Sequence, residues 1–299
     1  MFSVVLTKGY SEVPYTKPVT SNEPGLILLL LDQSGSMLDP FGSASLEEGA
    51  ISKAVILMRT VNRLFRELVE ANVGGTGLKD RFALGVIAYG GSTVESGFMG
   101  ALAGKELATL TEIANNPLRM DIVKKKLPDG DGGILEIEQE VPVWVDSKAS
   151  GSTPMVAALK RGYEVAAAWA AGHKGSFPPI ILNITDGQAT DVAANGTIEA
   201  AVELIKSTAT DDGNALLFNC HLSSDQSPER LFLSDEQSLT DDFARTLFRA
   251  SSVLPAPCLA EARKQNYNLP QGARGFVFNA SAVALTAFIN IGTPTGGDL

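Results

Sequence analysis

The sequence predicts an α/β fold: a doubly wound, mostly parallel central sheet with helices on both faces and one antiparallel edge strand. Short apolar runs of strand length alternate along the chain with longer segments of helical periodicity. The first run, residues 26–32, is apolar up to its last residue, as expected for a central parallel strand buried on both faces. No internal repeat, linker or shift in composition divides the chain, so we expect one main domain.

The composition describes a soluble protein with a sizeable core. The 299 residues are 44% hydrophobic and 19% charged, and the formal net charge is −10. This acidity argues against a nucleic-acid surface, and the only basic run is the lysine triplet at residues 124–126. The N-terminus lacks the pattern of a signal peptide, and no apolar run reaches the roughly 20 residues that span a membrane. We therefore expect a cytoplasmic protein without membrane contact.

The elements follow from periodicity and from turn residues. We expect an N-terminal edge strand or extension at residues 1–24, the α/β domain at 25–292 and a C-terminal tail at 293–299. After the first strand, further strands are predicted at residues 82–89, 134–145, 179–186, 215–221 and 275–279, with a short edge strand within 93–104. Helices are predicted at residues 49–71, 107–115, 154–172, 197–207, 241–251, 257–265 and 280–291.

Oxygen-bearing side chains leave the carboxyl end of the first strand together. Asp32 ends the apolar run, and Ser34 and Ser36 follow at alternate positions around Gly35. This spacing places the three side chains on one side of an extended turn. One carboxylate and two hydroxyls suit a hard divalent cation such as Mg²⁺. The alternative is that Asp32 caps the following helix and the serines fill a turn.

Two later loops leave the same predicted edge of the sheet. Thr153, followed by a proline, opens a helix, and helix N-capping is the structural alternative for its hydroxyl. Asp186 ends another apolar strand, and right-handed crossovers between parallel strands would bring it to the edge that carries Asp32. Asp191, further along that loop, is expected to be a cap or a supporting residue and not a ligand.

Neighbouring carboxylates repel each other unless a cation neutralises them, and a divalent ion would do so. The predicted metal site therefore consists of two carboxylates and three hydroxyls: Asp32, Ser34, Ser36, Thr153 and Asp186.

These motifs resemble the metal-ion-dependent adhesion site of von Willebrand factor A (vWA) domains. The match consists of Asp32-Gln-Ser34-Gly-Ser36, then Thr153, then Asp186-Gly, and it extends over roughly residues 25–291. The stretches Ser-Gly-Ser-Met, Gly-Ser-Thr-Pro-Met and Ile-Thr-Asp-Gly are similar to stand-alone bacterial members, including the tellurium-resistance-associated TerY-like proteins. The resemblance implies the Rossmann-like sheet of that family.

The resemblance also implies a ligand set and a class of partner. Mg²⁺, with Mn²⁺ or Ca²⁺ as alternatives, would be held directly by the hydroxyls of Ser34 and Ser36. Thr153 would join directly or through water, and Asp32 and Asp186 directly or through bridging waters. One open coordination position would accept an Asp or Glu carboxylate of a partner protein. Related bacterial proteins accompany protein kinases and PP2C-type phosphatases, which implies such partners in a signalling, stress or defence system.

An enzyme is the alternative function: a metal-dependent, phosphatase-like hydrolase using the same Asp and Ser cluster. An aspartyl phosphatase of the haloacid-dehalogenase type needs a second Asp where this chain has Ser34. A serine hydrolase needs a base for its nucleophile, and only His173 and His221 are present, both expected to be structural. No Gly-x-Ser-x-Gly motif occurs, so we expect no catalytic residues. A third possibility is a structural subunit whose site carries no metal.

Overall fold

The computed structural model describes residues 15–41, 51–75, 77–128, 134–222 and 228–293. The apolar residues 4–6 of the predicted N-terminal edge strand lie outside this part of the chain. Residues 15–24, which are described, form no strand. They are instead held by Asp212, whose carboxylate accepts hydrogen bonds from the backbone N–H groups of Thr16 and Lys17 at 3.0 and 2.9 Å.

Strands and helices alternate along the chain. The strands are β1 (Gly25–Asp32), β2 (Val73–Gly74), β3 (Gly77–Leu78), β4 (Phe82–Gly90), β5 (Thr93–Ser96), β6 (Ala108–Thr109), β7 (Arg119–Pro128), β8 (Ile134–Val143), β9 (Ile180–Thr185), β10 (Ala209–Thr210), β11 (Gly213–Asn214), β12 (Leu216–Leu222), β13 (Arg230–Leu231) and β14 (Phe276–Ala280). The helices are α1 (Lys53–Ala71), α2 (Leu110–Asn115), α3 (Met155–Gly172), α4 (Val192–Asn195), α5 (Ile198–Ser207), α6 (Asp242–Ala250), α7 (Ala256–Lys264) and α8 (Ala282–Gly292).

The main sheet has eight strands in the order β13-β14-β12-β9-β1-β4-β5, with β6 paired to β4. Strands β14, β12, β9, β1 and β4 run parallel. Strands β5 and β6 are antiparallel to β4, and β13 is antiparallel to β14. The α/β class with a mostly parallel central sheet is therefore confirmed. The prediction of one antiparallel edge strand was wrong, because short antiparallel strands lie at both edges and the strand pairing there depends on distant loops.

Strand β1 is the centre of the sheet, and all eight of its residues are buried. Its side chains alternate between two cores because successive residues of a strand point to opposite faces. Ile27, Leu29 and Leu31 pack with residues of α1 and α8 on one face. Leu28 and Leu30 pack with residues of α3, α5 and α6 on the other face. Burial on both faces, at roughly 1.5–3 kcal/mol for each large apolar side chain, explains why an uninterrupted leucine run forms this strand.

A hairpin of β7 and β8 forms its own two-stranded antiparallel sheet. The strand predicted at 134–145 is confirmed as β8, but the sequence analysis did not predict its partner β7, which contains the lysines at 124–126. In β7 the backbone of these lysines pairs with residues 136–138 of β8, and Lys124 Nζ donates to Glu136 Oε1 at 2.8 Å. The hairpin carries exposed apolar side chains, including Ile122 and Leu135.

Both cysteines are free thiols and fully buried, Cys220 in β12 and Cys258 in α7. Burial raises the pKa of both thiols well above the ordinary value. No helix in the described part of the chain combines the length and the apolarity needed to cross a membrane.

Candidate functional site

The candidate site lies where the strand order reverses. In the parallel part of the sheet, the chain moves from β1 to β4 on one side and then returns to β9 on the other. The carboxyl ends of β1 and β9 are therefore neighbours, and the loops that follow them diverge and leave a crevice between them. Ligands of open α/β sheets bind at such a switch point. Asp32 is the last residue of β1, and Asp186 follows β9 directly.

Asp32 is buried, with 1% of its surface exposed, and both of its carboxylate oxygens are engaged. Oδ1 accepts a hydrogen bond from the backbone N–H of Ser34 at 2.8 Å. Oδ2 accepts one from the Thr185 hydroxyl at 2.6 Å. Burial raises the pKa of Asp32, and these hydrogen bonds oppose that effect. The carboxylate thus holds the turn after β1. It does not act as the helix cap of the alternative given above, because Ser34 occupies the cap position of the short helix that follows.

The side chains of Ser34, Ser36 and Asp186 meet beside Asp32. The Oγ atoms of Ser34 and Ser36 are 3.2 Å apart. The Ser36 hydroxyl donates a hydrogen bond to Asp186 Oδ1 at 2.7 Å, although 150 residues separate them in sequence. The structure therefore brings the first and the third predicted motifs together. It joins two hydroxyls and one carboxylate in a continuous row of polar contacts.

Backbone hydrogen bonds attach the second motif to the first. The N–H of Ser150 donates to the carbonyl of Gln33 at 2.8 Å, and the N–H of Gly35 donates to the carbonyl of Gly151 at 2.9 Å. These bonds hold the loop before α3 against the Asp32 turn. Thr153, two residues beyond Gly151, is consequently placed at the same edge of the sheet.

Glycines make this approach of three loops possible. A Cβ on Gly90 would lie 2.3 Å from the carbonyl oxygen of Gln33. Gly151 has a φ of +66°, and a Cβ there would lie 2.6 Å from the Cα of Gly91. Only glycine combines this backbone conformation with such close backbone packing. The glycines after β4 and before α3 therefore determine how closely the site loops can pack.

The loop that carries Asp186 also contacts Thr153. The backbone N–H of Thr153 donates to Thr190 Oγ1 at 3.0 Å, and the N–H of Thr190 donates to the Thr153 carbonyl at 3.0 Å. Thr153 is 6% exposed. Its backbone thus joins the second motif to the third, and all three predicted motifs belong to one contiguous cluster.

The structural alternative for Thr153, that its hydroxyl caps α3, is wrong. Pro154 precedes the helix and makes no side-chain capping bond. The N–H groups of Val156 and Ala157 instead donate to the carboxylate of Asp191 at 3.1 and 2.9 Å. The expectation that Asp191 is a cap is confirmed. A cap supplied by a loop 35 residues away cannot be recognised in the local sequence of the helix start.

Lys53, the first residue of α1, is a site residue that sequence reasoning missed. Its Nζ lies 2.8 Å from Asp186 Oδ2 and 3.8 Å from Asp39 Oδ2, and its side chain is 3% exposed. The sequence contains one signal for it. Lys53 lies four residues before Leu57, so the lysine falls on the apolar, core-facing side of the helix.

A cavity of about 470 Å³ adjoins the cluster at Asp186 and is lined in part by His221, Phe243 and Phe278. His221 Nε2 lies 3.2 Å from the carbonyl oxygen of Asp186, and the ring stacks on Phe278 with centroids 4.3 Å apart. Burial lowers the pKa of His221, and the contact with the Asp186 backbone opposes that effect. His173 lies elsewhere, stacked on Trp169 at the end of α3, as expected for a structural histidine.

The donor set fits a hard cation better than a soft one. Within the described residues, no group of three or more His, Cys, Asp or Glu side chains could hold a metal ion. A cation at the cluster would depend on two carboxylates supplemented by hydroxyls. Mg²⁺ is commonly bound by one or two carboxylates while it keeps several waters, so these residues are compatible with it.

Comparisons with known proteins assign neither a family nor a function. No protein-family model and no curated protein matches the chain. Among solved structures, the PilB minor pilin from Streptococcus sanguinis aligns with a TM-score of 0.32 and 11% identity over 55% of this chain and 30% of the pilin. Its D319A mutant aligns with a TM-score of 0.39 and 12% identity over 68% and 51% of the two chains. This chain spans about half or less of those pilins.

Proposed function

We propose that the chain is a non-enzymatic protein-interaction module of the vWA type with a metal-ion-dependent adhesion site. Mg²⁺ is the proposed ion, and Mn²⁺ and Ca²⁺ are alternatives. The hydroxyls of Ser34 and Ser36 would bind it directly, with Thr153 joining directly or through water. Asp32 and Asp186 would act directly or through bridging waters. The ion would offer a partner protein one strongly polarising coordination position.

The spacing of the oxygen atoms is the observation that supports this proposal. Mg²⁺ binds oxygen at about 2.0–2.1 Å in octahedral geometry, so adjacent ligand oxygens lie about 3 Å apart. The separation of Ser34 Oγ from Ser36 Oγ is 3.2 Å, and that of Ser36 Oγ from Asp186 Oδ1 is 2.7 Å. Both of these separations are thus those expected of adjacent ligand oxygens. The Thr153 hydroxyl supports the proposal as well, because α3 is capped by Asp191 instead.

The proposed partner is a protein that presents an Asp or Glu side chain. A carboxylate is a hard, anionic ligand and would complete the shell of a hard cation. The resemblance to stand-alone bacterial vWA proteins leads us to include protein kinases and PP2C-type phosphatases of a signalling, stress or defence system among the proposed partners. Loops at the same edge would form the rim that selects the partner: residues 38–48, 90–104, 146–152, 187–196 and 222–239, of which 42–48 and 223–227 lie outside the described residues.

A thermal-unfolding titration with MgCl₂ and MnCl₂ tests this proposal. At ten times Kd, a ligand that binds only the folded state stabilises it by about 1.4 kcal/mol, so we expect Tm to rise by a few degrees. Asp32→Asn keeps the side-chain volume but removes the charge, and it should abolish the rise. Asp211→Asn, at an exposed turn between β10 and β11, is the matched control and should respond like the wild type. An unchanged wild-type Tm at 10 mM metal, a concentration chosen as about ten times a millimolar Kd, would contradict the proposal.

A metal-free structural role is the second candidate, and Lys53 is the observation that favours it. The Lys53 ammonium neutralises Asp186 at 2.8 Å without any ion. A protein of this kind would bind a partner through the same loops, but its Tm would not change when metal is added. The titration above therefore separates the two candidates.

The hydrolase alternative has less support at this site. His221 faces the backbone carbonyl of Asp186, and that contact does not activate a serine hydroxyl. A screen with p-nitrophenyl phosphate and p-nitrophenyl esters in the presence of Mg²⁺ tests it. Turnover that Asp32→Asn abolishes would favour the hydrolase.

A further inference from the structure

Lys53 occupies a position that is unfavourable for a positive charge. Its side chain is 3% exposed, and burial of an ammonium group is costly unless the group is paired. It is also the first residue of α1, where the helix dipole favours negative and not positive charge. Two independent effects therefore oppose a cation here. The contact with Asp186 Oδ2 at 2.8 Å is the interaction that offsets them.

Both oxygens of Asp186 are occupied in this arrangement. Oδ1 accepts the Ser36 hydroxyl at 2.7 Å and Oδ2 accepts the Lys53 ammonium at 2.8 Å. A divalent ion bound through Asp186 would face the lysine charge at close range. Two cations on one buried carboxylate repel each other strongly, because the surroundings screen them weakly. The lysine and the ion would therefore compete for the same carboxylate.

We propose that Lys53 is an internal counter-cation that holds Asp186 in the metal-free protein and must leave when a divalent ion binds. This inference rests on the proposed function, since it concerns the same site. Lys53 would determine how tightly the ion binds and would exclude cations that cannot displace an ammonium group.

Asp39 provides the position to which the ammonium moves. Its Oδ2 lies 3.8 Å from Lys53 Nζ, longer than the contact with Asp186, and its side chain is 57% exposed. The two chain segments are already joined, because the backbone N–H of Lys53 donates to the Asp39 carbonyl at 3.1 Å. A small rotation of the lysine side chain would thus exchange a buried carboxylate for an exposed one. Asp39 would stabilise the metal-bound state through Lys53 and not through the ion.

The test compares Lys53→Met with the wild type in two measurements: Mn²⁺ affinity by electron paramagnetic resonance, and urea unfolding with and without Mg²⁺. Removing the competing charge should tighten Mn²⁺ binding by roughly tenfold or more, the range of ordinary coupling between two ligands. Without metal, the variant should be less stable than the wild type, because Asp186 loses its partner. With saturating Mg²⁺ that difference should disappear. Lys174→Met is the matched control. Lys174 lies just beyond the C-terminal end of α3, away from the site at the N-terminal end, so this variant should change neither measurement.

Asp39→Asn separates displacement from simple charge repulsion. In the wild-type background it should weaken Mn²⁺ binding, because the displaced lysine loses its second partner. In the Lys53→Met background it should have no effect, since no lysine remains to be displaced. An equal loss in both backgrounds would mean that Asp39 acts on the ion directly and would overturn the displacement role.

The outcomes distinguish this inference from the proposed function. If the wild type binds metal and Lys53→Met has the same affinity but lower stability at every metal concentration, Lys53 is only structural and the inference is wrong while the adhesion site stands. If Lys53→Met binds metal and the wild type does not, Lys53 permanently takes the place of an ion, and both the displacement and the adhesion site of the native chain are overturned. If neither protein binds metal, both proposals fail.

Discussion

Thr153 and Asp191 divide two tasks that the sequence alone could not separate. Asp191 caps α3 through the N–H groups of Val156 and Ala157, so the Thr153 hydroxyl is not needed to start the helix. Local capping rules favour Thr153, because it stands directly before a proline and the helix. The competing cap arrives from the loop after β9, and only the tertiary structure reveals it.

Two substitutions test this division. Thr153→Val removes the hydroxyl with little change in shape, so metal-free stability should change by no more than about 1 kcal/mol while the Mg²⁺-dependent rise in Tm falls. Asp191→Ala should cost about 1 kcal/mol of stability, as for other lost helix caps, and should keep the metal response. Thermal and urea unfolding with and without Mg²⁺ measure both effects. A large loss of metal-free stability in Thr153→Val would show that its hydroxyl has a structural role.

The predicted site residues and the missed one differ in the kind of signal they carry. Asp32, Ser34 and Ser36 form a local motif, and Asp186 ends a strand, so each can be recognised from a few neighbouring residues. Lys53 has no such motif. Its role depends on how α1 docks against the sheet, which determines that its ammonium reaches Asp186. The ligand candidates could therefore be predicted, whereas the charge that balances them could not.

At the scale of secondary-structure elements, turns and close backbone contacts determine the geometry of the site. The sequence predicts β1 and the strands beside it well, because a short continuous apolar run is buried completely only as a central strand of a sheet covered on both faces. The pairing of β7 with β8 was not predicted, because it depends on register across a turn. Likewise, the sequence marks Gly90 only as the end of a strand, whereas the structure gives it a specific steric role.

Gly90→Ala tests that steric role. The new Cβ would lie 2.3 Å from the Gln33 carbonyl oxygen and 3.1 Å from the Ser34 nitrogen, so the turn that carries the first motif must move. We expect a loss of about 1–3 kcal/mol in the free energy of unfolding, together with weaker metal binding. Gly187→Ala is the control: a Cβ there has no neighbour within 4 Å, and its effect should stay within about 0.5 kcal/mol. Equal effects at the two positions would contradict the steric explanation.

At the scale of the whole molecule, a buried polar chain crosses the sheet behind the site. The Tyr89 hydroxyl donates to Asn183 Oδ1 at 2.8 Å, Asn183 Nδ2 donates to Asn219 Oδ1 at 3.0 Å, and Asn219 Nδ2 lies 3.0 Å from Ser251 Oγ. These bonds link β4, β9, β12 and the end of α6. The sequence does not predict this network, because which of these polar side chains become neighbours depends on the order of the strands in the sheet. A fully satisfied network of this kind favours one register of the sheet.

Because both thiols are buried, their reactivity can be used to measure how often the protein unfolds locally or globally. Cys220 lies in β12 between two parallel neighbours, and Cys258 lies in α7 against the same core. A disulfide reagent such as DTNB can modify them only when the protein opens, so the labelling rate measures the free energy of that opening. We expect Cys220 to react only as fast as global unfolding allows, and Cys258 at least as fast. Mass spectrometry of each site after timed labelling checks this, and rapid modification of Cys220 under native conditions would contradict it. The protein thus contains two natural labels that follow its breathing motions without any engineered probe.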